Sequence, residues 1–490
     1  MKYCRILVYT LLTILLNSTI LLAQTCSGSL GDPVVNITFG AGLASTSPLP
    51  PGVTSYQYTS TGCPGDGFYN IGPHNRGCFD NTWHSINQDH TPSDDNGNMM
   101  IINASFTAGD FYKQTVSGLC AGTTYEFAAW VLNILKPGSC GSAGIDPNIT
   151  FTIETLGGVM LGTYNTEDIA EMGTPAWKQY GLYFTSITDE VVIRMTNNSK
   201  GGCGNDLALD DITFRACGPV LKAAGDPISM SGSFCEGGAA SFILNGDAPV
   251  GYISPAYQWQ VNNNDDDGWQ DIAGATSLSY TVNIPTIDAE GYQFRLAAAE
   301  GSNISSLNCR VVSNVIPIEA NKNPTADAGS NVTIEEGRSV ELNGKAEGKD
   351  LRYFWSPSTY LNDPNILNPT ASPTEDITYT LTVVSEDGCN KMAQDAVSIR
   401  VLKKLIVPNA FTPNGDMVND NWRIAALNTY PEANITVFNR YGDSVYKSVG
   451  YDREWDGTFN GKALPVGVYY YIIDLKTEGP VLKGSVSIIR

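Results

Sequence analysis

The chain has 490 residues and a net charge of −21, from 29 basic and 50 acidic residues, and its length suits about three to five domains. That charge excludes a nucleic-acid partner, which needs a basic face, and an anionic membrane surface, while leaving room for Ca²⁺ and neutral glycans. Gly and Pro number 49 and 26, and Tyr, Val, Thr and Ile dominate the patterned runs, which favours an all-β fold with little helix.

Residues 1–23 read as a signal peptide. Lys2 and Arg5 precede an apolar run from Ile6 to Leu22, Asn17 to Thr19 interrupt it, and Ala23 stands at a cleavage point. No later segment is long and apolar enough to span a bilayer. Cleavage removes Cys4 and leaves ten cysteines for an oxidising compartment. Seven lie from Cys26 to Cys217, two at Cys235 and Cys309, and one at Cys389. The odd count in the first cluster requires a buried free thiol or a cross-domain pair. Cys63, Cys78, Cys140 and Cys203 are disulfide candidates whose connectivity the sequence leaves open.

Residues 24–218 read as one large β domain. "TYEFAAWVLNI", "NITFTIETLGG", "EVVIRMTNN" and "DLALDDITFRAC" are strand-length runs separated by Gly, Asn and Pro, a pattern that suits a two-sheet jelly roll. "DHT" at Asp89–Thr91, "NGNMMIINAS", "CAGTTYEFAAWV", Trp177 and "LALDDITFRAC" together resemble an adhesive MAM-type jelly roll and the related carbohydrate-binding jelly rolls of bacterial surface proteins. The resemblance implies a disulfide from Cys120 to Cys217. The family's acidic "DFE" strand is replaced here by "VVNITFGAG".

In "DLALDDITF", Asp210 and Asp211 interrupt an apolar strand, where an unpartnered carboxylate is costly. Two readings stand. The aspartates form a structural Ca²⁺ site, Asp211 foremost by resemblance, with Asp206 and Asp89 as helpers; or they accept hydrogen bonds from backbone amides. A sugar-binding face would need exposed aromatics, and Trp83, Tyr112, Trp177 and Tyr180 are the candidates. Each also suits the core. The three histidines, His74, His84 and His90, lack a thiol pair at zinc-ligand spacing and read as loop and turn residues.

Residues 219–320 form an immunoglobulin-like ladder, with Cys235 on its second strand and Trp259 in the core. Asp288, Gly291 and Tyr292 resemble the tyrosine corner. Phe294 stands where the usual second cysteine would be, so Cys309 becomes the expected partner of Cys235. The acidic "NNNDDDGW" reads as a solvated turn. Residues 321–403, with "SVELNG", "TYTLTVV" and a Pro-rich middle that must be loop or edge, resemble a PKD-type module.

Residues 404–490 contain "PNAFTPNGDMVNDNW", "VFNRYGDSVY", "WDGTFNGKALPVGVYYYII" and "KGSVSIIR". They resemble the C-terminal sorting domain of Bacteroidetes type IX secretion in its gliding-motility-associated form. The resemblance implies export by the type IX translocon to the outer surface or beyond. The "VYYYII" strand, apolar on both faces, is expected at the centre of a small sandwich and in a hairpin with the last strand. In the first loop, Asn414, Asp416, Asn419 and Asp420 are either oxygen ligands for Ca²⁺ or a set of Asx turns.

No G-x-S-x-G, P-loop or H-E-x-x-H motif occurs. The expectation is therefore an exported, non-catalytic adhesion protein, with structural calcium as its one candidate cofactor and a glycan or surface protein as ligand of the first domain. The rival readings are a polysaccharide hydrolase using unrecognised carboxylates and a structural spacer.

Overall fold

The computed structural model describes residues 25–490 apart from 43–45, 142–143, 231, 249–250 and 478; the expected signal peptide lies outside the described residues. The chain is nearly all β, and among the described residues no helix is long and apolar enough to cross a membrane. The described residues of 1–231, 240–284 and 290–319 form one compact unit, and those of 232–239, 285–289 and 320–490 another.

The first unit opens with a two-sheet jelly roll. Its larger sheet runs Gln57–Tyr58, Phe68–Gly72, Met99–Asn103, Leu207–Gly218, Thr124–Asn133, Lys178–Thr185, and Ser29–Ile37 also pairs with Leu207–Gly218. The second sheet runs Gly109–Ser117, Glu190–Asn197, Asn148–Glu154, Met160–Asp168. Alternation along Thr124–Asn133 sends Tyr125 and Phe127 between the sheets, where Tyr125 stacks on Phe214 at 5.3 Å and Phe127 meets Phe151 edge-on at 5.4 Å. A second cluster, with Trp83, Ile86, Met99, Ile101, Leu132, Leu135 and Ala208, buries apolar side chains of the opposite face under a loop.

A smaller sandwich follows in the same unit. Lys222–Gly225, Ala240–Asp247 and Ser279–Ile284 face a sheet built on Pro255–Asn262 and Tyr292–Glu300. Trp259 is fully buried, and its indole N–H donates to the Ser277 carbonyl at 2.9 Å. The two sandwiches are tied together. Arg295, itself buried, pairs with Asp32 at 2.5 Å and donates to Gln260 at 2.7 Å, and a Cβ on Gly31 would meet the Arg310 carbonyl oxygen at 2.1 Å.

The disulfides correct two expectations. Cys120 pairs with Cys309, and Cys217 pairs with Cys26. Ser29–Ile37 runs antiparallel to Leu207–Gly218 with Leu30 opposite Cys217, which brings Cys26 to the end of the last strand. Cys120 instead sits before Thr124–Asn133, where the Tyr125 hydroxyl meets both its amide nitrogen and the Cys309 sulfur. The odd thiol of the first cluster is thus taken up by a cross-domain pair. Cys63–Cys78 and Cys140–Cys203 complete the jelly roll.

Cys235 pairs with Cys389, not Cys309. It lies outside Ala240–Asp247, in a bend that bridges Asn321, and the neighbouring Ser233 hydroxyl donates to the Asp387 carbonyl at 2.9 Å. The bend therefore belongs to the second unit. There a four-stranded sheet, Val332–Glu335, Met392–Leu402, Ile377–Ser385, Leu351–Ser356, packs with two short ribbons around Trp355, Tyr379 and Leu381.

The last sandwich holds a five-stranded sheet in the order Ala410–Phe411, Leu482–Ile488, Gly467–Asp474, Asn434–Phe438, Ser444–Val449. Trp422, Trp455, Phe411, Val437 and Ile473 fill its core. Gly467–Asp474 is the central strand, but only one of its faces is covered: Val468 and Tyr470 are 50% and 53% exposed.

Candidate functional site

The aspartates of "DLALDD" and the "DHT" turn come together beside Trp130, across a β-bulge. Asp210 lies opposite Trp130, and the next register pair is Thr213 with Ala128, so Leu207–Gly218 carries one extra residue there. Asp211 takes a left-handed φ of 46°, as bulges that re-aim side chains do. Both carboxylates then reach the turn. Asp210 accepts from the His90 amide at 2.8 Å and from the Asp211 amide at 2.8 Å. Asp211 holds His90 Nδ1 at 2.6 Å and accepts from the Thr91 hydroxyl at 2.7 Å. The His90 ring stacks on Trp130 at 3.7 Å, with Trp177 edge-on at 6.1 Å. Burial pushes the Asp210 carboxyl up to about 7.

These oxygens are engaged, whereas those of Asp89 are not. Both Asp89 oxygens, one Asp94 oxygen and the Asn98 amide oxygen are buried without a hydrogen-bond partner. Gly97 makes the convergence of the two carboxylates possible: a Cβ there would sit 2.1 Å from Asp89 Oδ2 and 2.3 Å from Asp94 Oδ1. Burial, with the charges of Asp94 and Asp211 adding to it, pushes Asp89 up to about 6. Such unpaired acceptors are costly as they stand and fit a hard, oxygen-seeking cation. Among the described residues no group of three or more His, Cys, Asp or Glu side chains is set to hold a metal ion, so amide and backbone oxygens would have to complete the shell.

The four aspartates singled out in the sequence therefore do not form one site. Asp206 lies apart, accepting from the Trp83 indole N–H at 3.0 Å and the Ala104 amide at 3.3 Å, and its burial raises it to about 7. Asp94 was not legible as a partner, because only the fold of the turn over Gly97 brings it to Asp89. Of the aromatic candidates, Trp83, Tyr112 and Tyr180 are buried, which rules them out as exposed platforms; Trp177 is half-buried. Trp130, also half-buried, is not among the sequence candidates, although alternation in "TYEFAAW" sets it on the face opposite Tyr125 and Phe127.

In the C-terminal sandwich, the loop oxygens serve the backbone. Asp420 accepts from the amides of Asn414, Gly415 and Met417 at 2.9, 2.7 and 2.7 Å. Asp416 accepts from Val418 at 2.8 Å, and Asn414 accepts from Asp416 at 3.1 Å. These bonds, that from Gly415 foremost, hold the Asp420 carboxyl below its usual range. The Trp422 indole closes the loop by donating to the Pro408 carbonyl at 2.8 Å.

Fold and disulfides define a multi-domain β-sandwich protein of an oxidising compartment. Residues 405–488 match the CHU_C type IX secretion signal domain. The chain thus carries a sorting signal read by the type IX secretion machinery, which directs it to the cell surface. No curated protein matches the chain. Among solved structures it is similar to Sidekick-1 immunoglobulin domains 1–4, at 11% identity over 76% of this chain and 95% of that one, TM-score 0.23. The N-terminal eight Ig domains of Down syndrome cell adhesion molecule align at 12% identity over 83% and 60%, TM-score 0.22, and human CDH23 EC21-23 at 13% over 48% and 88%, TM-score 0.24. At these TM-scores the fold assignment rests on the sheets themselves.

Proposed function

We propose that this is a non-catalytic adhesion protein of a Bacteroidetes cell surface. Its jelly roll, of MAM-like or carbohydrate-binding-like kind, binds a glycan or a surface protein. The immunoglobulin-like and PKD-like modules act as spacers, and residues 404–490 serve export and attachment. The observation that carries the reading is the sorting-domain match at 405–488: it makes the remaining sandwiches the delivered cargo. The cargo is braced by five disulfides, as suits a module exposed outside the cell.

A structural Ca²⁺ belongs to this reading. Asp89 and Asp94 would hold it, since their buried oxygens lack donors, and it would neutralise the pair of carboxylates that Gly97 lets converge. The ion would tie the 89–98 turn to the sheet and take no part in a reaction.

The test is a glycan and surface-protein array probed with the secreted chain, with Ca²⁺ and with chelator, beside cell fractionation of a 405–490 deletion. Saturable binding and loss of surface delivery are expected. A chain that reaches the surface without residues 405–490, or one that binds nothing on either array, would refute the corresponding half of the reading.

A further inference from the structure

A cleft of about 230 Å³ opens in the jelly roll next to two disulfides, Cys63–Cys78 and Cys140–Cys203. Asp206 and Trp83 line it from the buried side, and Asp66 and Phe79 line it from the exposed side. Asn103 and Thr82 add an amide and a hydroxyl. None of this is used by the cation site or by the sorting domain.

Phe79 is held there by an unusual stretch of backbone. Phe79, Asp80 and Asn81 are three successive left-handed residues, with φ of 52°, 53° and 67°, a region that bulky L-residues avoid. The surroundings enforce it. Cys78 is bonded to Cys63, the Thr82 amide and hydroxyl donate to the Phe79 carbonyl at 3.1 and 2.9 Å, and Lys136 Nζ donates to the Asn81 carbonyl and side chain at 2.9 and 2.7 Å. The result is a Phe79 ring 47% exposed and set edge-on to Trp83 at 4.8 Å. Strain of this sort persists where the surroundings over-determine it, and it clusters at ligand sites.

The lining selects a chemistry. Two carboxylates and no Lys, Arg or His line the cleft, which disfavours phosphate, sulfate and uronic acids. The same groups accept hydrogen bonds from hydroxyls, and an exposed ring offers a face to C–H groups. The volume lies below the about 300–1,000 Å³ of clefts that enclose drug-sized ligands, so one sugar ring enters and a chain leaves through the mouth. Asp206 keeps a lone pair on each oxygen beside its bonds from Trp83 and Ala104, enough for a neutral hydroxyl, whereas an ammonium gains most from carboxylates free of other donors.

We propose that this cleft binds one neutral hexose ring, the terminal residue of a glycan, with Phe79 against its C–H face and Asp66 and Asp206 accepting from its hydroxyls. The proposal rests on the reading of the jelly roll as the binding module.

The test is saturation-transfer NMR and calorimetry on the full secreted chain with the methyl α-glycosides of glucose, galactose and mannose, and with n-butylammonium as the cationic probe. One methyl hexoside should saturate in the millimolar range. Phe79→Ala should weaken it about tenfold and Asp66→Asn about threefold; both side chains are exposed, so unchanged melting curves will show that the fold is intact. Three results overturn the proposal: no hexoside saturating, hexoside binding unchanged in both variants, or butylammonium binding more tightly than any hexoside. Array binding that persists in both variants would sink this cleft alone and leave the binding-module reading standing. A wild-type chain that binds nothing on either array would sink both.

Discussion

Replacing Cys120 and Cys309 together by serine tests the cross-domain connection directly. The bond spans 189 residues; Cys26–Cys217 leaves the route between its ends almost as long, while Cys140–Cys203, which bridges 63 of those residues, shortens the effective loop to about 127. In the chain-entropy account, closing a loop of that size removes about 17 cal/mol/K from the unfolded chain, or about 5 kcal/mol, while measured values cluster at about 2–4 kcal/mol. Urea unfolding of the full secreted chain, followed by tryptophan fluorescence, should therefore show the transition of the first unit weakened by about 3–5 kcal/mol in the double variant. Non-reducing digestion and mass mapping of the wild type should yield the peptides of Cys120 and Cys309 linked, and those of Cys26 and Cys217 linked. A linked Cys120–Cys217 peptide, or a double variant as stable as the wild type, would refute the reasoning. A practical corollary concerns the fragment 24–218: it strands Cys120 as a free thiol and removes Arg295 from Asp32, so it should form disulfide-linked dimers on non-reducing gels.

Three further outcomes follow from the side-chain environments. Asp206 has a folded-state value of about 7 against an ordinary 3.8, raised by burial. The folded chain thus holds a proton that the unfolded chain releases, and stability falls as pH rises from about 4 to 7. Asp206→Asn should accordingly raise the melting temperature at pH 8 relative to wild type, and by only about a third as much at pH 5; the reverse order would contradict the assignment. Adding Ca²⁺ to chelated protein at pH 7.5 should raise its melting temperature, and Asp94→Asn should blunt that response, because Asp94 supplies one of the unpartnered oxygens; a response unchanged in the variant would remove Asp94 from the site. Asp420→Ala takes away the acceptor for three loop amides, so hydrogen exchange at Gly415 and Met417 should accelerate while exchange in the Trp422–Trp455 core stays slow. Uniform acceleration would mean that the loop is not locally capped.

The β class and the sorting segment could be read from the sequence because they rest on local signals: alternation of period two, breakers between runs, and a dense set of turn residues around "PNGD" and "RYGD". The centrality of Gly467–Asp474 in its sheet was legible from its unbroken apolar run; the exposure of Val468 and Tyr470 was not, since it depends on whether a second layer covers that face. The sequence also required one cysteine of the first cluster to be free or paired across domains, by parity alone. Which cysteine pairs with which was decided by tertiary structure, because a disulfide needs Cα atoms within about 4.4–6.8 Å and the partners lie up to 191 residues apart. The same distinction holds at the acidic cluster. Asp210 and Asp211 could be picked out as carboxylates in a costly place, with Asp89 as a helper, yet only the bulge at Asp211 and the convergence over Gly97 determine which oxygens are occupied by His90 and Thr91 and which are left without donors. Patterning acts over a few residues and is written in the chain; the partnership of buried polar atoms is settled only when distant segments meet.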